Sequence, residues 1–138
     1  ILRAIEKLSD NPDYFLEKQS SNPSDILRTY PRKPEDGRIN WTDTNTHIVR
    51  LVNASSEPFS GAFAFLNGEK IIIWRARVHN DSEEFCAIPG QVTSVTNQSK
   101  GSIVVAVGKG KIQVDEVEFK GVRCTPAEVI KSLRTRFT

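Results

Sequence analysis

Apolar positions change their spacing along this chain, and the changes divide it into segments. In ILRAIEKLSD, Ile1, Leu2, Ile5 and Leu8 fall at helical spacing and Asn11-Pro12 supplies a stop, which predicts a helix over residues 1–10. Tyr14, Phe15 and Leu16 are apolar enough for a short strand, and the polar, proline-bearing stretch after them reads as loop. From Pro31 to Trp41 (PRKPEDGRINW) two prolines hold the backbone near extended geometry, and Gly37 is free of the left-handed penalty, so this segment is a shaped linker. Beyond it Thr42, Asp43 or Thr44 can cap a helix whose apolar face is Ile48, Val49, Leu51 and Val52, ending near Ala54.

The period then becomes that of strands. AFAFL at 62–66, an Asn67-Gly68 pair and KIIIWRARV at 70–78 form a hairpin pattern, because Asn-Gly supplies the two positive-φ positions of a type I′ turn. After a polar loop over 79–89, QVTSVT and SIVVAV read as strands around NQSKG, and IQVDEVEF follows the GKGK turn. About five strands at short spacing predict a mainly β chain with flanking helices, in the form of a small antiparallel barrel or sandwich. The end, CTPAEVIKSLRTRF, predicts a last helix: Thr125 as N-cap, Pro126 at the first position, Glu128 completing a capping box, and Val129, Ile130 and Leu133 on one face.

Composition narrows the classes. A chain of 138 residues with 38% hydrophobic and 26% charged positions fits one domain, or one domain and an appendage, with a real core. No apolar run approaches the ~20 residues of a membrane-spanning helix, so no membrane role is expected and a cytoplasmic location is. The net charge of +2 permits an anionic partner but is small for a dedicated nucleic-acid binder. Cys86 and Cys124 are expected to be free thiols. With no Met and no leader pattern at its start, the chain is expected to be part of a larger protein.

Candidate chemistry is sparse. His47 and His79 have no Cys, His or carboxylate neighbours at metal-ligand spacing, so neither a metal nor a catalytic role is expected, and surface or capping roles are the default. Cys124 beside Arg123, just before a helix start, has the surroundings that lower a thiol pKa, although a small half-buried residue is the simpler reading. GKGKI lacks the spacing, the Lys-Ser/Thr end and the following helix of a phosphate loop, so it is a hairpin turn. The basic residues remain. Arg28, Arg32, Lys33 and Arg38 cluster around Tyr30, and Arg75 and Arg77 alternate on one strand face, so each group offers anion contacts. A solvated surface, ion pairs with Glu35 and Asp36, or a contact with another domain is the plainer account. Trp41 and Trp74 read as core aromatics, with base stacking the second reading.

Several of these motifs in order, PRKPEDGRINW, EPFSGAFAFLNGEK, IWRARV, the turn at Pro89-Gly90 and FKGVRCTPAEVI, resemble the C-terminal domain of the formyltransferases that use 10-formyltetrahydrofolate. That family includes methionyl-tRNA formyltransferase and the sugar N-formyltransferases. The resemblance implies a linker and an OB-like barrel docked on a Rossmann-like catalytic domain. Residues 1–30 would then be the last helix and connector of that domain, 31–41 the interdomain linker and 42–138 the barrel. The family's catalytic Asn, His-x-Ser-Leu-Leu-Pro and Asp motifs are absent from this chain, so no catalytic residue is expected here, and 10-formyltetrahydrofolate is expected on the catalytic domain instead. Implied partners are that domain, a nucleotide-sugar or a tRNA, and a second copy in a homodimer. Tyr30, Arg32, Lys33, Arg38, Trp41, Arg75 and Arg77 are the substrate-binding or interdomain candidates. The small net charge, the RKPEDG linker and Glu-Pro-Phe-Ser-Gly at 57–61, where the tRNA branch has Asn-Pro-Trp-Pro-Gly, lean towards the amine of a nucleotide-linked sugar as formyl acceptor. FKGVRCTPAEVI resembles the tRNA branch, which stays as the alternative.

Overall fold

The computed structural model describes residues 2–11, 20–27, 29–80, 86–96 and 101–138. The expected strand at Tyr14–Leu16 and the candidate Arg28 lie outside them. The chain divides into two compact units, Ile1–Pro31 and Arg32–Thr138. The first holds α1 (Leu2–Asp10), as its periodicity predicts, with Ile5 and Leu8 of the apolar stripe exposed. A single 3-10 turn follows at Pro23–Asp25, with Asn22 accepting the Ser24 N–H at 3.2 Å. Among the described residues no helix is long and apolar enough to cross a membrane.

The second unit is one antiparallel sheet with a helix on its inner face. Thr44 caps α2 (Asn45–Ser55), its hydroxyl accepting the His47 N–H at 3.3 Å. Ile48 and Val52 on one side of α2 are buried in the same core as Ile71 and Ile73 of the sheet. β1 (Ala62–Leu66) turns through Asn67 and Gly68, both at positive φ of 51° and 83°, into β2 (Glu69–His79). β3 (Val92–Thr96), β4 (Ser102–Ala106), β5 (Lys111–Phe119) and β6 (Val122–Cys124) complete the order β1-β2-β5-β4-β3, with β6 beside the far half of β5.

Three expectations need correction. The sheet is not closed into a barrel: among the described residues β1 does not pair with β3. The last segment of chain meets both edges instead. Thr138 exchanges backbone hydrogen bonds with Phe65 at 2.7 and 3.0 Å, and Thr135 O accepts from the Val92 N–H at 3.0 Å. The C-terminal segment thus covers part of each edge, at Phe65 on β1 and at Val92 on β3.

The predicted C-terminal helix is only one turn, α3 (Pro126–Val129). Its capping signal is real, since Glu128 accepts the Thr125 N–H at 3.0 Å, but Ile130 turns to extended backbone at φ −107°, ψ 108°. Ile130 is buried, whereas Leu133 is 52% exposed and is not part of an apolar helix face. The backbone beyond α3 is used to pair with the edges, which a continuing helix would forbid.

The third correction concerns phase and the fate of Trp74. Ile71 and Ile73 point into the core, then Ala76 does; on the partner strand Ile112 and Val114 do, then Val117. Each strand skips one residue at the same place, between Ile73 and Ala76 on β2 and between Val114 and Val117 on β5. Such paired irregularities reverse the faces beyond them. They put Arg75 and Arg77 outside, whereas Trp74, next to core-facing Ile73, lies on the outer face by simple alternation rather than in the core. β6 was not anticipated: Lys120 and Gly121, at φ 53° and 78°, form a second two-residue turn.

Close backbone approach explains one glycine of GKGK. A Cβ on Gly108 would lie 1.7 Å from Thr42 O, and the Gly108 N–H donates to Trp41 O at 2.8 Å. Lys109 O then accepts the Asn45 N–H at 3.1 Å, seating the turn against the start of α2. Gly108→Ala is therefore expected to cost about 2 kcal/mol or more through forced backbone separation, a fall of about 10 °C in melting midpoint measured by calorimetry.

The α3 cap gives a pH signature. Hydrogen bonds from the Thr125 backbone N–H, then from its hydroxyl, hold the Glu128 carboxyl below the usual carboxylate value. A depressed folded pKa contributes stability above the unfolded value, and that contribution is lost as pH falls through the folded one. Carboxyl NMR titration should place Glu128 below free glutamate, and Glu128→Gln should remove that acid-side loss.

Candidate functional site

The candidate cations and tryptophans fall into distinct environments. Tyr30 belongs to the first unit, where it is 94% exposed. In the second unit the linker makes one 3-10 turn at Pro34–Gly37, in which Asp36 accepts the Lys33 N–H at 2.8 Å. Gly37 is buried under β1, since a Cβ there would sit 2.7 Å from Gly61 O. Arg38 then bridges Phe63 in parallel, and the Ile39 N–H donates to Phe63 O at 2.8 Å. Arg32 reaches the end of α2, donating to Ala54 O at 2.6 Å and Ser55 Oγ at 2.8 Å. A cation there meets helix-end carbonyls and the negative end of the helix dipole. Arg32, Lys33, Pro34, Ser55, Phe59 and Gly61 line a hollow of about 190 Å³.

Trp41 is buried, stacked on Phe137 with ring centroids 5.1 Å apart and planes 22° from parallel. Its indole N–H is buried without a protein acceptor among the described residues. Beside it lies a wider, open hollow of about 500 Å³ whose rim includes Arg38, Asn40, Thr42, Pro89 and Arg136.

Arg75 and Arg77 stand elsewhere, on the outer face of the sheet. Arg75 lies 3.5 Å from Glu116 and Arg77 3.5 Å from Asp115, with side chains 71% and 65% exposed. Exposed pairs of this kind contribute roughly 0–1 kcal/mol and largely cancel local charge. Asp115 is held in turn by Ser102 Oγ at 2.8 Å and Gln113 Nε2 at 2.9 Å.

Arg123 is the residue that sequence reasoning missed. Its guanidinium lies 4.2 Å over the Trp74 ring, pairs with Glu57, and is within 3.9 Å of Glu116 and 3.8 Å of Glu118. Trp74 Nε1 donates to Glu118 at 3.0 Å. The Lys120-Gly121 turn is the signal that would have placed Arg123 across from Glu118.

Sorting the cations by partner separates two regions. Arg75, Arg77, Lys120 and Arg123 each face a carboxylate. Arg32, Arg38, Lys70 and Arg136 instead meet carbonyls, a hydroxyl or aromatic faces: Arg38 is 5.5 Å from the Phe65 centroid, Lys70 is 4.3 Å from that of Phe63, and Arg136 Nε donates to Pro89 O at 3.2 Å. Of these eight cations, the four without a carboxylate partner lie on the linker, at the start of β2 and in the C-terminal segment.

The reactive side chains have ordinary surroundings. His47 Nδ1 lies 3.1 Å from Asp43 at the exposed start of α2. No group of three His, Cys, Asp or Glu among the described residues could hold a metal ion. Burial first, and the Glu128 charge second, push the Cys124 thiol up, opposite to the activation that Arg123 would have conferred.

Residues 32–134 match the family model described as formyl transferase, C-terminal domain. The chain belongs to this family. The match begins at the linker arginine that grips α2 and ends within the segment leading to the edge pairing. Methionyl-tRNA formyltransferase of Pelotomaculum thermopropionicum is 37% identical over 94 residues, which is 67% of this chain and 28% of that protein. The chain thus spans less than a third of that relative's length. Crystal structures of HypX from Aquifex aeolicus share the fold: one variant superposes with a TM-score of 0.60 at 19% identity, covering 94% of this chain and 22% of HypX. A HypX structure in complex with tetrahydrofolic acid gives a TM-score of 0.60 at 19% identity, covering 96% and 22%.

In this formyl transferase C-terminal domain, Arg32 is the first residue of the second unit. Arg32→Ala is expected to cost about 1 kcal/mol, one to two modest hydrogen bonds, and to raise amide exchange over residues 33–37 by about tenfold while leaving the strands protected. Hydrogen exchange followed by mass spectrometry checks this.

Proposed function

We propose that this chain is the C-terminal accessory domain of a 10-formyltetrahydrofolate-dependent formyltransferase whose acceptor is methionyl-tRNA. The observation that carries the reading is the 37% identity to a methionyl-tRNA formyltransferase over 94 residues, two thirds of this chain. It outweighs the lean of the linker wording towards the sugar enzymes. The separation of cations supports it further, because an RNA phosphate backbone is held by charges that carboxylates have not already cancelled.

In this reading residues 1–30 close the neighbouring catalytic domain, 31–41 link the two and 42–138 form the accessory sheet. The acceptor amine attacks the formyl carbon, a proton is taken up and an oxyanion is stabilised, all by groups of that other domain. The formyl donor sits there too, in keeping with tetrahydrofolic acid bound to HypX. Arg32, Lys33, Arg38 and Arg136 meet the RNA, while Arg75 and Arg77 serve the sheet surface.

Titrating the chain with initiator tRNA at several salt concentrations tests the proposal. Micromolar binding that weakens with a log–log slope of several units is expected. Absence of any shift at low salt would return the assignment to a nucleotide-sugar acceptor.

A further inference from the structure

The outer face of β1 carries two phenylalanines under cations. Ala62, Ala64 and Leu66 point into the core, so Phe63 and Phe65 project from the opposite side. Their rings meet edge to face, with centroids 5.9 Å apart and planes at 88°. Lys70, directly opposite Phe65 across the hairpin, extends its ammonium to 4.3 Å from the Phe63 centroid. Arg38, on the edge beside Phe63, holds its guanidinium 5.5 Å from the Phe65 centroid. Arg38, Asn40, Thr42 and Arg136 all line the 500 Å³ hollow.

None of Arg38, Lys70 and Arg136 forms an ion pair among the described residues; Glu69, next to Lys70, is held by Lys120 at 3.0 Å. An apolar partner protein would have to desolvate these charges without compensation. A polyanion would not. Phe65 is half-buried and Phe63 almost wholly covered, so the Phe65 face is the one that a flat group can reach once Arg38 swings aside.

We propose that Lys70, Phe65, Arg38 and Arg136 form a stacking platform for an unpaired stretch of RNA, a proposal that rests on the RNA-acceptor reading above. One base lies on Phe65, and the cations that shield the rings in the free protein transfer to the flanking phosphates. Base–aromatic stacking of this kind needs a strand whose base faces are open, which a duplex hides. The platform therefore selects unpaired nucleotides, such as those at the end of an acceptor stem, over the stem itself.

The test uses the 138-residue chain and fluorescence anisotropy, with a labelled single-stranded oligoribonucleotide, a duplex of the same length, and initiator tRNA. The single strand should bind about tenfold more tightly than the duplex. Phe65→Leu and Arg38→Ala should each weaken single-strand binding about tenfold. Lys70→Ala should weaken it several-fold and lower the salt slope by about 0.7, the share of one neutralised phosphate on a single strand. Arg50→Ala, which removes an exposed charge from α2, should leave it unchanged. Circular dichroism of each variant confirms folding, and the exposed Arg38 and Lys70 variants decide the matter if Phe65→Leu does not fold. Equal affinity for strand and duplex, or wild-type binding by Arg38→Ala and Lys70→Ala, overturns the platform while tRNA binding keeps the RNA reading. Failure to bind any of the three RNAs overturns both.

Discussion

An open sheet must dispose of its edges, and here one stack of two rings governs how. Trp41 at the end of the linker lies on Phe137 near the end of the chain. Backbone hydrogen bonds run outward from that stack: Gly108 to Trp41, Phe137 to Gly90, Thr138 to Phe65 and Val92 to Thr135. Two glycines let the chains come close enough, since a Cβ on Gly90 would lie 2.4 Å from Phe137 O and one on Gly108 nearer still to Thr42 O. Without that C-terminal pairing, Phe65 on β1 and Val92 at the start of β3 would present unpaired backbone groups, a template for aggregation.

The same arrangement explains why the proline-rich connector is well held from Arg32 onward. Pro34–Gly37 forms a turn, Gly37 is buried against Gly61, Ile39 bonds to β1, and Arg32 grips α2. A segment fixed at so many points presents its charges at defined positions. Side chains on a fixed backbone lose less entropy when they bind, so Arg38 needs to order only its own rotamers to meet a phosphate.

Much of this was legible in the sequence. Asn67-Gly68 specified its hairpin, Thr125 the start of the last helix, and the apolar runs all but one of the strands, while Thr44 proved to be the cap among the three candidates at 42–44. What failed did so for identifiable reasons. Val129, Ile130 and Leu133 have helical spacing, but edge pairing by residues 135–138 outweighs propensity. Period-two counting on β2 and β5 did not register that the apolar positions step by three, from Ile73 to Ala76 and from Val114 to Val117, the sign of the paired irregularity. The Lys120-Gly121 turn is hard to see because a non-glycine residue at positive φ leaves little trace in composition. Within the candidate set, residues on the linker could be read as a group, yet which cations carry neutralising partners depends on cross-strand register, and register is not visible in one strand at a time.

That last point decides how far net charge can discriminate between acceptors. The value of +2 sums cations that face carboxylates together with cations that do not. Over the outer face of β2, β5 and β6, Arg75, Arg77 and Arg123 are matched by Asp115, Glu116, Glu118 and Glu57, so that region is close to neutral at short range. The surplus therefore resides mainly elsewhere. Because salt screens charges beyond about 8–10 Å, a polyanion approaching the linker and the β1–β2 hairpin feels Arg38, Lys70 and Arg136 together with the neighbouring Glu35 and Asp36 rather than the whole-chain sum. A small total charge is thus compatible with a locally strong anion site, and composition ceases to weigh against RNA once the partners of each cation are known.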